Sequence, residues 1–238
     1  MMRTLVVIPA FNEEESIVSV VENLIAHCPQ YDYLIIDDCS TDGTGRLLKE
    51  RGYRHLTLPV NLGIGGGVQC GYRYAVEHGY DIVVQMDGDG QHDPLYIKNL
   101  IQPIESGRLD MVIGSRFVEK QGFQTSGLRR TGIHILKWVV RLCCGVTIVD
   151  TTSGFRAANK ALSELFSHEY AQDYPEPEAI VAASLHGFRI GEVPVVMKER
   201  IGGSSSIKTI RSIYYMIKVS LALVIHCLRP RGKGGNAV

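Results

Sequence analysis

The chain has 238 residues, of which 45% are hydrophobic and 21% charged, which is enough apolar content for one large domain with a substantial core and excludes a disordered polyelectrolyte. Its 25 Lys and Arg cancel its 25 Asp and Glu, so no overall field marks nucleic acid as a partner. Six cysteines without CxxC spacing, and an apolar start in MMRTLVVIPAF that is only a strand long, predict a reduced, cytoplasmic chain with no secretory leader.

In chain order, Thr4–Pro9 (TLVVIP) reads as a buried strand, and Asn12, followed by Glu13, Glu14 and Glu15, reads as the cap and acidic first turn of a helix. Leu34–Asp38 is the second strand, and Ser40–Thr44 (STDGT) opens another helix. The glycine-rich NLGIGGGVQCG fits either a helix N-terminus beside a nucleotide or close packing of a helix on a sheet. It lacks the spacing of a P-loop or of GxGxxG, and Asn61 is its one candidate contact. Ile82–Met86 and Leu109–Gly114 complete the strands, and Gly132–Cys144 is an apolar helix carrying the chain's one tryptophan. Continuous apolar strands separated by helices predict an α/β fold, a mainly parallel sheet flanked by helices. In such sheets ligands bind outside the carboxyl ends of the strands, and the first three strands end in polar groups: Pro9–Glu13, Asp37–Asp38 and Asp87–Asp89.

The densest of these ends is VQMDGDGQHDP. Asp87 and Asp89, two apart in extended chain, direct both carboxylates to one side, while Gly88 and Gly90 let the backbone approach a bulky ligand. Two oxygen donors with little bulk suit Mg²⁺ or Mn²⁺ bridging protein carboxylates to substrate phosphates. A solvated acidic turn is the bland alternative. An EF-hand is excluded, since counting from Asp87 puts His92 where Gly is required and Lys98 where the bidentate Glu belongs. His92 reads as an ordinary loop histidine.

Taken together, VIPAFNEE, IIDDCSTDGT, NLGIGGGVQCGYRYA, QMDGDGQHDP, GSRF and TSGFR, running in order from about Leu5 towards Ser206, resemble the successive signatures of family 2 glycosyltransferases. The chain is most similar to their polyprenyl-phosphate branch, which includes dolichol-phosphate mannose synthase and undecaprenyl-phosphate glucosyltransferases. The resemblance implies a GT-A fold, a nucleotide-diphosphate sugar as donor and a divalent metal. It implies that Pro9, Phe11 and Glu13 line the nucleotide pocket, that Ile36 and Asp38 contact base or ribose, and that Asp87, Gly88 and Asp89 flank the diphosphate. Asp89 and Gln91, with Asp87, would hold the metal. Arg116 of GSRF and Arg200 of KERIGGSSS match basic positions that meet phosphate oxygens, with Arg129 or Arg130 beside them. In the last motif Ser206 stands where the family has Lys, and Lys208 is the nearest replacement.

The acceptor decides the chemistry. A lipid phosphate is already anionic, so alignment and stabilisation of the departing diphosphate suffice, with Asp89 and Arg116 as central residues. A hydroxyl acceptor needs a general base, for which Asp150 of VDTTSGFR and the acids Asp173, Glu176 and Glu178 are candidates. From Ile201 to Val238 there are six Lys or Arg and no Asp or Glu. There Thr209, Ile210, Ile213, Tyr214, Ile217, Leu221, Val224, Ile225 and Leu228 recur at helical spacing. This predicts a catalytic domain over 1–206 and a basic amphipathic helix and tail over 207–238, which either lies in a membrane interface or covers the core. No stretch is long enough to span a bilayer. The reading is a metal-dependent inverting glycosyltransferase that moves glucose from a UDP-linked donor to polyprenyl phosphate. It is peripheral at the inner face of the cell membrane, with a possible membrane-protein partner. The alternatives are transfer to a saccharide hydroxyl and a non-catalytic sugar-nucleotide-binding subunit.

Overall fold

The structure is a computed structural model that describes residues 2–117, 127–200, 218–223 and 225, the side chains of 127–134 excepted. Its elements in order are β1 (Thr4–Ala10), α1 (Ile17–His27), β2 (Asp32–Asp37), α2 (Thr44–Glu50), β3 (His55–Thr57), α3 (Gly63–Glu77), β4 (Ile82–Gln85), α4 (Ile97–Glu105), β5 (Met111–Ser115), α5 (Gly127–Cys144), β6 (Arg156–Asn159), α6 (Lys160–His168), α7 (Pro175–Leu185) and β7 (Ile190–Pro194). The strands form one sheet in the order β3-β2-β1-β4-β6-β5-β7. All neighbours are parallel except β6, which runs antiparallel to both β4 and β5. The α/β architecture is the one expected. The short β3, the alanine-containing β6 and the half-buried β7 lack the continuous apolar run that marks the other four.

Alternate residues of the central strands feed two cores. Leu5, Val7, Leu34, Ile36, Val83 and Ile113 pack under α3, α5, α6 and α7, while Val6, Ile8, Ile35, Ile82, Val84 and Val112 pack under α1, α2 and α4. Because a strand's side chains alternate between faces, a strand covered by helices on both sides must be apolar at every position. In β1 all seven residues are buried.

The glycine-rich segment serves packing. A Cβ at Gly71 would collide with the Val7 side chain, and one at Gly65 with the Ala171 carbonyl, so α3 lies directly on β1 and on the loop before α7. Asn12 does not cap a helix: α1 begins at Ile17, and Asn12 adopts a left-handed backbone with φ 56°. The helix Gly132–Cys144 starts earlier, at Gly127. In the C-terminal region residues 218–223 and 225 are helical, with Val219 and Leu223 in the core under the sheet and Leu221 and Ile225 exposed. The rest of the predicted amphipathic helix lies outside the described residues, as do Ser206 and Lys208.

Candidate functional site

The chain leaves β1 towards β2 on one side and, through β4, towards the other half of the sheet. This switch point opens a crevice at the carboxyl ends of β1 and β4. It brings Pro9–Glu13 beside Asp87–Asp89: Gly88 N–H donates to Pro9 O at 3.3 Å, and a Cβ on Gly88 would stand 3.1 Å from that oxygen. Because β6 is antiparallel, its beginning rather than its end reaches the same edge. Gln85 pairs with Arg156, so Gly154 lies beside Asp87, where an added Cβ would meet the Asp87 carboxylate at 2.6 Å.

The β1–α1 loop is bound to the β2–α2 loop. Asn12 Oδ1 accepts from Thr41 N at 2.8 Å and Asp42 N at 3.3 Å, and Asn12 N–H donates to Ser40 Oγ at 3.0 Å. The left-handed backbone, which Asn tolerates better than most residues, turns this side chain to the facing loop and places Glu13 at the crevice. Phe11 is exposed at the rim. Asp38 Oδ1 accepts from Leu62 N at 2.7 Å ahead of α3, and burial raises the pKa of its carboxyl despite that bond. Ile36 is fully buried beneath α3, so its side chain belongs to the core and does not face the pocket as expected. Pro9 is likewise buried within β1.

Asp87 is oriented from several directions. Gln85 Nε2 donates to its Oδ1 at 3.2 Å. His92 accepts the Asp87 backbone N–H at Nδ1, 3.0 Å, and its Nε2 lies 3.8 Å from Asp87 Oδ2. The His92 ring stacks on Phe155 at 4.8 Å and 10°. A histidine that reads as peripheral in sequence is thus buried and fastens the DGDG loop to the strand-β6 motif. Gln85, Gly154 and Phe155 were also not singled out as site residues. TSGFR marks Gly154 and Phe155 as part of a motif, but their place against Asp87 and His92 follows from the β4–β6 register, which exists only once strands pair.

Asp89 is 7% exposed, and its Oδ1 accepts from Gln91 N at 3.0 Å. Burial, followed by the charge of Asp87, raises the Asp89 pKa above its ordinary value. The Gln91 side chain donates to Lys198 O at 3.4 Å. Arg200 Nε lies 3.4 Å from Asp89 Oδ2, while its NH2 donates to Glu13 Oε1 at 2.7 Å. Burial raises the Glu13 pKa, with Arg200 acting against it. Asp89, desolvated beside the charge of Asp87 and already drawing a guanidinium, offers the kind of oxygen donor that a hard divalent cation takes.

Arg116 follows β5 and is 6% exposed. It makes a bidentate pair with Asp150, Nε to Oδ2 and NH2 to Oδ1 both at 2.8 Å, and its backbone N–H reaches Oδ2 at 3.2 Å. Thr152 Oγ1 accepts a further bond at 3.1 Å. Burial opposes the charge on Arg116, but Asp150 and Asp87 more than offset it and raise its pKa. Asp150 is itself fully buried, with its N–H donated to Glu192. Both of its oxygens are therefore committed, which suits positioning of Arg116 and not the proton abstraction considered for it. Glu176, in the first turn of α7, accepts Arg156 NH1 at its backbone carbonyl at 3.1 Å, and burial raises its carboxyl pKa. Burial likewise raises that of Glu178. Asp173 pairs with Lys218 at 2.8 Å. Arg129 and Arg130 lie in α5, with side chains outside the described set.

The model of glycosyl transferase family 2 matches residues 5–166. The UDP-N-acetylglucosamine–dolichyl-phosphate N-acetylglucosaminyltransferase of Methanococcus voltae is 34% identical over 79% of this chain and 83% of that protein. The polyprenol monophosphomannose synthase of Mycolicibacterium smegmatis is 32% identical over 85% of this chain and 80% of that protein. Among solved structures, glucosyl-3-phosphoglycerate synthase from Mycobacterium tuberculosis, in complex with Mn²⁺, UDP and glucosyl-3-phosphoglycerate, superposes with a TM-score of 0.71. It covers 98% of this chain and 82% of that one at 22% identity, a likeness of fold.

Proposed function

Since the chain belongs to glycosyl transferase family 2 and is a glycosyltransferase with a GT-A architecture, we propose that it moves a hexose from a nucleotide-diphosphate sugar to the phosphate of a polyprenyl lipid, with inversion. The donor in this reading is UDP-linked and the sugar glucose. The observation that carries the acceptor is the closed pair between Arg116 and Asp150, 2.8 Å at each of two contacts. A hydroxyl acceptor needs a base with an oxygen free to take its proton; Arg116 engages both oxygens of Asp150, which leaves Glu176 and Glu178 as the candidates for that rival reading. A lipid phosphate arrives with its oxygen ionised. Two relatives whose names carry a dolichyl-phosphate or polyprenol acceptor support the same reading.

In this reaction a lipid phosphate oxygen bonds to the anomeric carbon as the bond from that carbon to the diphosphate breaks, and the electron pair leaves with the nucleoside diphosphate. Asp89, with Asp87 and Gln91, would hold Mg²⁺ or Mn²⁺, which when bound offsets charge on the departing diphosphate. Arg116, its guanidinium fixed by Asp150 and Thr152, meets phosphate oxygens without reorganising. Glu13 and Asp38, with Phe11 at the rim and the buried Pro9 behind them, form the nucleotide end, and Gly88 keeps the floor low enough for the diphosphate to lie across it.

In this reading the enzyme works at the inner face of the cell membrane; among the described residues no helix is long and apolar enough to cross a membrane. Ile135, Trp138 and Leu142, one turn apart along α5, are 45%, 65% and 68% exposed, and Leu221 and Ile225 are also exposed. Such a ridge supports docking on lipid, directly or beside a membrane-protein partner. Purified protein given detergent-dispersed undecaprenyl phosphate and labelled UDP-glucose should yield label in the organic phase, lost on adding EDTA. Parallel reactions with UDP-N-acetylglucosamine and GDP-mannose test the sugar and the base. Label that stays in the aqueous phase with every donor overturns the lipid acceptor.

A further inference from the structure

Arg200 pairs with the aspartate that is expected to hold a metal. It follows β7 on a segment anchored across the DGDG loop: Lys198 N–H donates to Gln91 O at 2.9 Å, and Lys198 Nζ lies 2.9 Å from Asp93 Oδ2. The guanidinium beyond it bridges Glu13 Oε1 at 2.7 Å and Asp89 Oδ2 at 3.4 Å. Glu13 is steadied by Ser16, whose hydroxyl oxygen lies 3.0 Å from Glu13 Oε2 and 2.8 Å from Gly88 O and donates its one proton to either. One protein cation therefore joins two carboxylates from the ends of different strands. One of the two is the aspartate that would hold the metal.

The donor set is also incomplete by itself. Among the described residues no group of three or more His, Cys, Asp or Glu side chains is arranged to hold a metal ion. Asp87 and Asp89 would supply only part of the oxygens that a hard divalent ion takes, and the rest would come from water and substrate. A divalent ion arriving alone would meet an aspartate already neutralised by a guanidinium and would be repelled by that charge. A diphosphate changes both sides of this balance, because it brings oxygens for the metal and an anion that a planar guanidinium can bind through two N–H groups.

We propose that Arg200 is the resident counter-cation of Asp89 and makes metal binding conditional on the nucleotide diphosphate. Before the donor binds, the guanidinium holds Asp89 and Glu13. When the diphosphate enters, Arg200 transfers to its oxygens and Asp89 is released to the metal. Asp89 has a cation beside it at both stages, and Glu13 keeps the Ser16 hydroxyl as a partner when Arg200 leaves. By linkage, the factor by which the nucleotide raises metal affinity equals the factor by which the metal raises nucleotide affinity, and Arg200 supplies part of it. This inference rests on the metal and diphosphate reading above.

The test is Mn²⁺ binding by the full chain, read from the electron paramagnetic resonance of free Mn²⁺, with and without saturating UDP. Wild type should bind Mn²⁺ weakly alone and about tenfold or more tighter with UDP, within the usual range of coupling between sites. Arg200→Ala should bind Mn²⁺ alone about fivefold or more tighter than wild type, with the enhancement by UDP reduced to match. Arg200→Gln removes the charge but keeps a polar side chain at the position, so it should shift the Mn²⁺-only affinity in the same direction, and it decides the matter if Arg200→Ala does not fold. If UDP-dependent Mn²⁺ binding is present but neither variant binds Mn²⁺ alone more tightly than wild type, the counter-cation role is overturned. If no form binds Mn²⁺ even with UDP, the metal reading itself fails and this inference falls with it.

Discussion

Replacing Asp150 by Asn separates a positioning carboxylate from a catalytic base. In the native protein Asp150 is fully buried, and its two oxygens accept three N–H groups of Arg116 at 2.8, 2.8 and 3.2 Å. Asparagine keeps one acceptor but turns an NH₂ group towards a fork of donors. A buried charge deprived of its partner costs about 3 to 5 kcal/mol, and the retained acceptor places Asp150→Asn near the lower end, about 3 kcal/mol. For a chain of this size each kcal/mol moves the midpoint by roughly 2 to 4 °C, so Tm should fall by about 6 to 12 °C. Urea unfolding should show a lower midpoint at unchanged slope. Arg116→Met should cost a comparable amount, and the double variant should fall short of the sum by about 2 kcal/mol, because the second change removes a group already stranded. Turnover should drop while the acid limb of the pH–rate profile stays in place, since Asp150 acts through Arg116 and takes no proton. An Asp150→Asn protein within about 0.5 kcal/mol of wild type, or one whose acid limb disappears, would refute this account.

Gly154→Ala puts a Cβ 2.6 Å from Asp87 Oδ2; kcat/KM should fall by roughly ten- to a hundredfold as the carboxylate is pushed aside, with circular dichroism unchanged. Asp110 accepts from Arg189 N, Nε and NH2 and from Asn159 Nδ2, and chiefly the Arg189 side chain lowers its pKa. Its stabilising contribution is therefore complete above the unfolded carboxylate value of about 3.9 and is lost as pH falls through the lowered folded value. Asp110→Asn should reduce the urea midpoint at pH 7 and flatten the acid limb of the stability profile, and an unaltered acid limb would contradict the assignment. Trp138→Glu, at a site 65% exposed, should leave stability within about 0.5 kcal/mol and weaken sedimentation with anionic vesicles by about tenfold or more. Turnover on detergent-dispersed acceptor should persist.

The strands β1, β2, β4 and β5 are legible in the sequence because burial on both faces leaves an unbroken apolar run. Their acidic and proline ends are legible because crevice residues follow directly in the chain. Asp87, Asp89, Glu13, Arg116 and Arg200 could each be named from local patterns and from resemblance. What local pattern does not contain is pairing. The antiparallel insertion of β6 brings Gly154 and Phe155 against Asp87 and His92, and it leaves no trace in an apolar count because β6 is only four residues long, RAAN, with a polar residue at each end. Ile36 looks like a pocket residue until α3 is laid over it, and Asn12 looks like a helix cap until the β2–α2 loop supplies the donors that hold it left-handed. Asp150 looks like a base until the carboxyl end of β5 delivers a guanidinium to both its oxygens. A residue type sets which bonds a side chain is able to make. Which of them it makes depends on partners far apart in the chain, and only the closed sheet brings those within 3 Å.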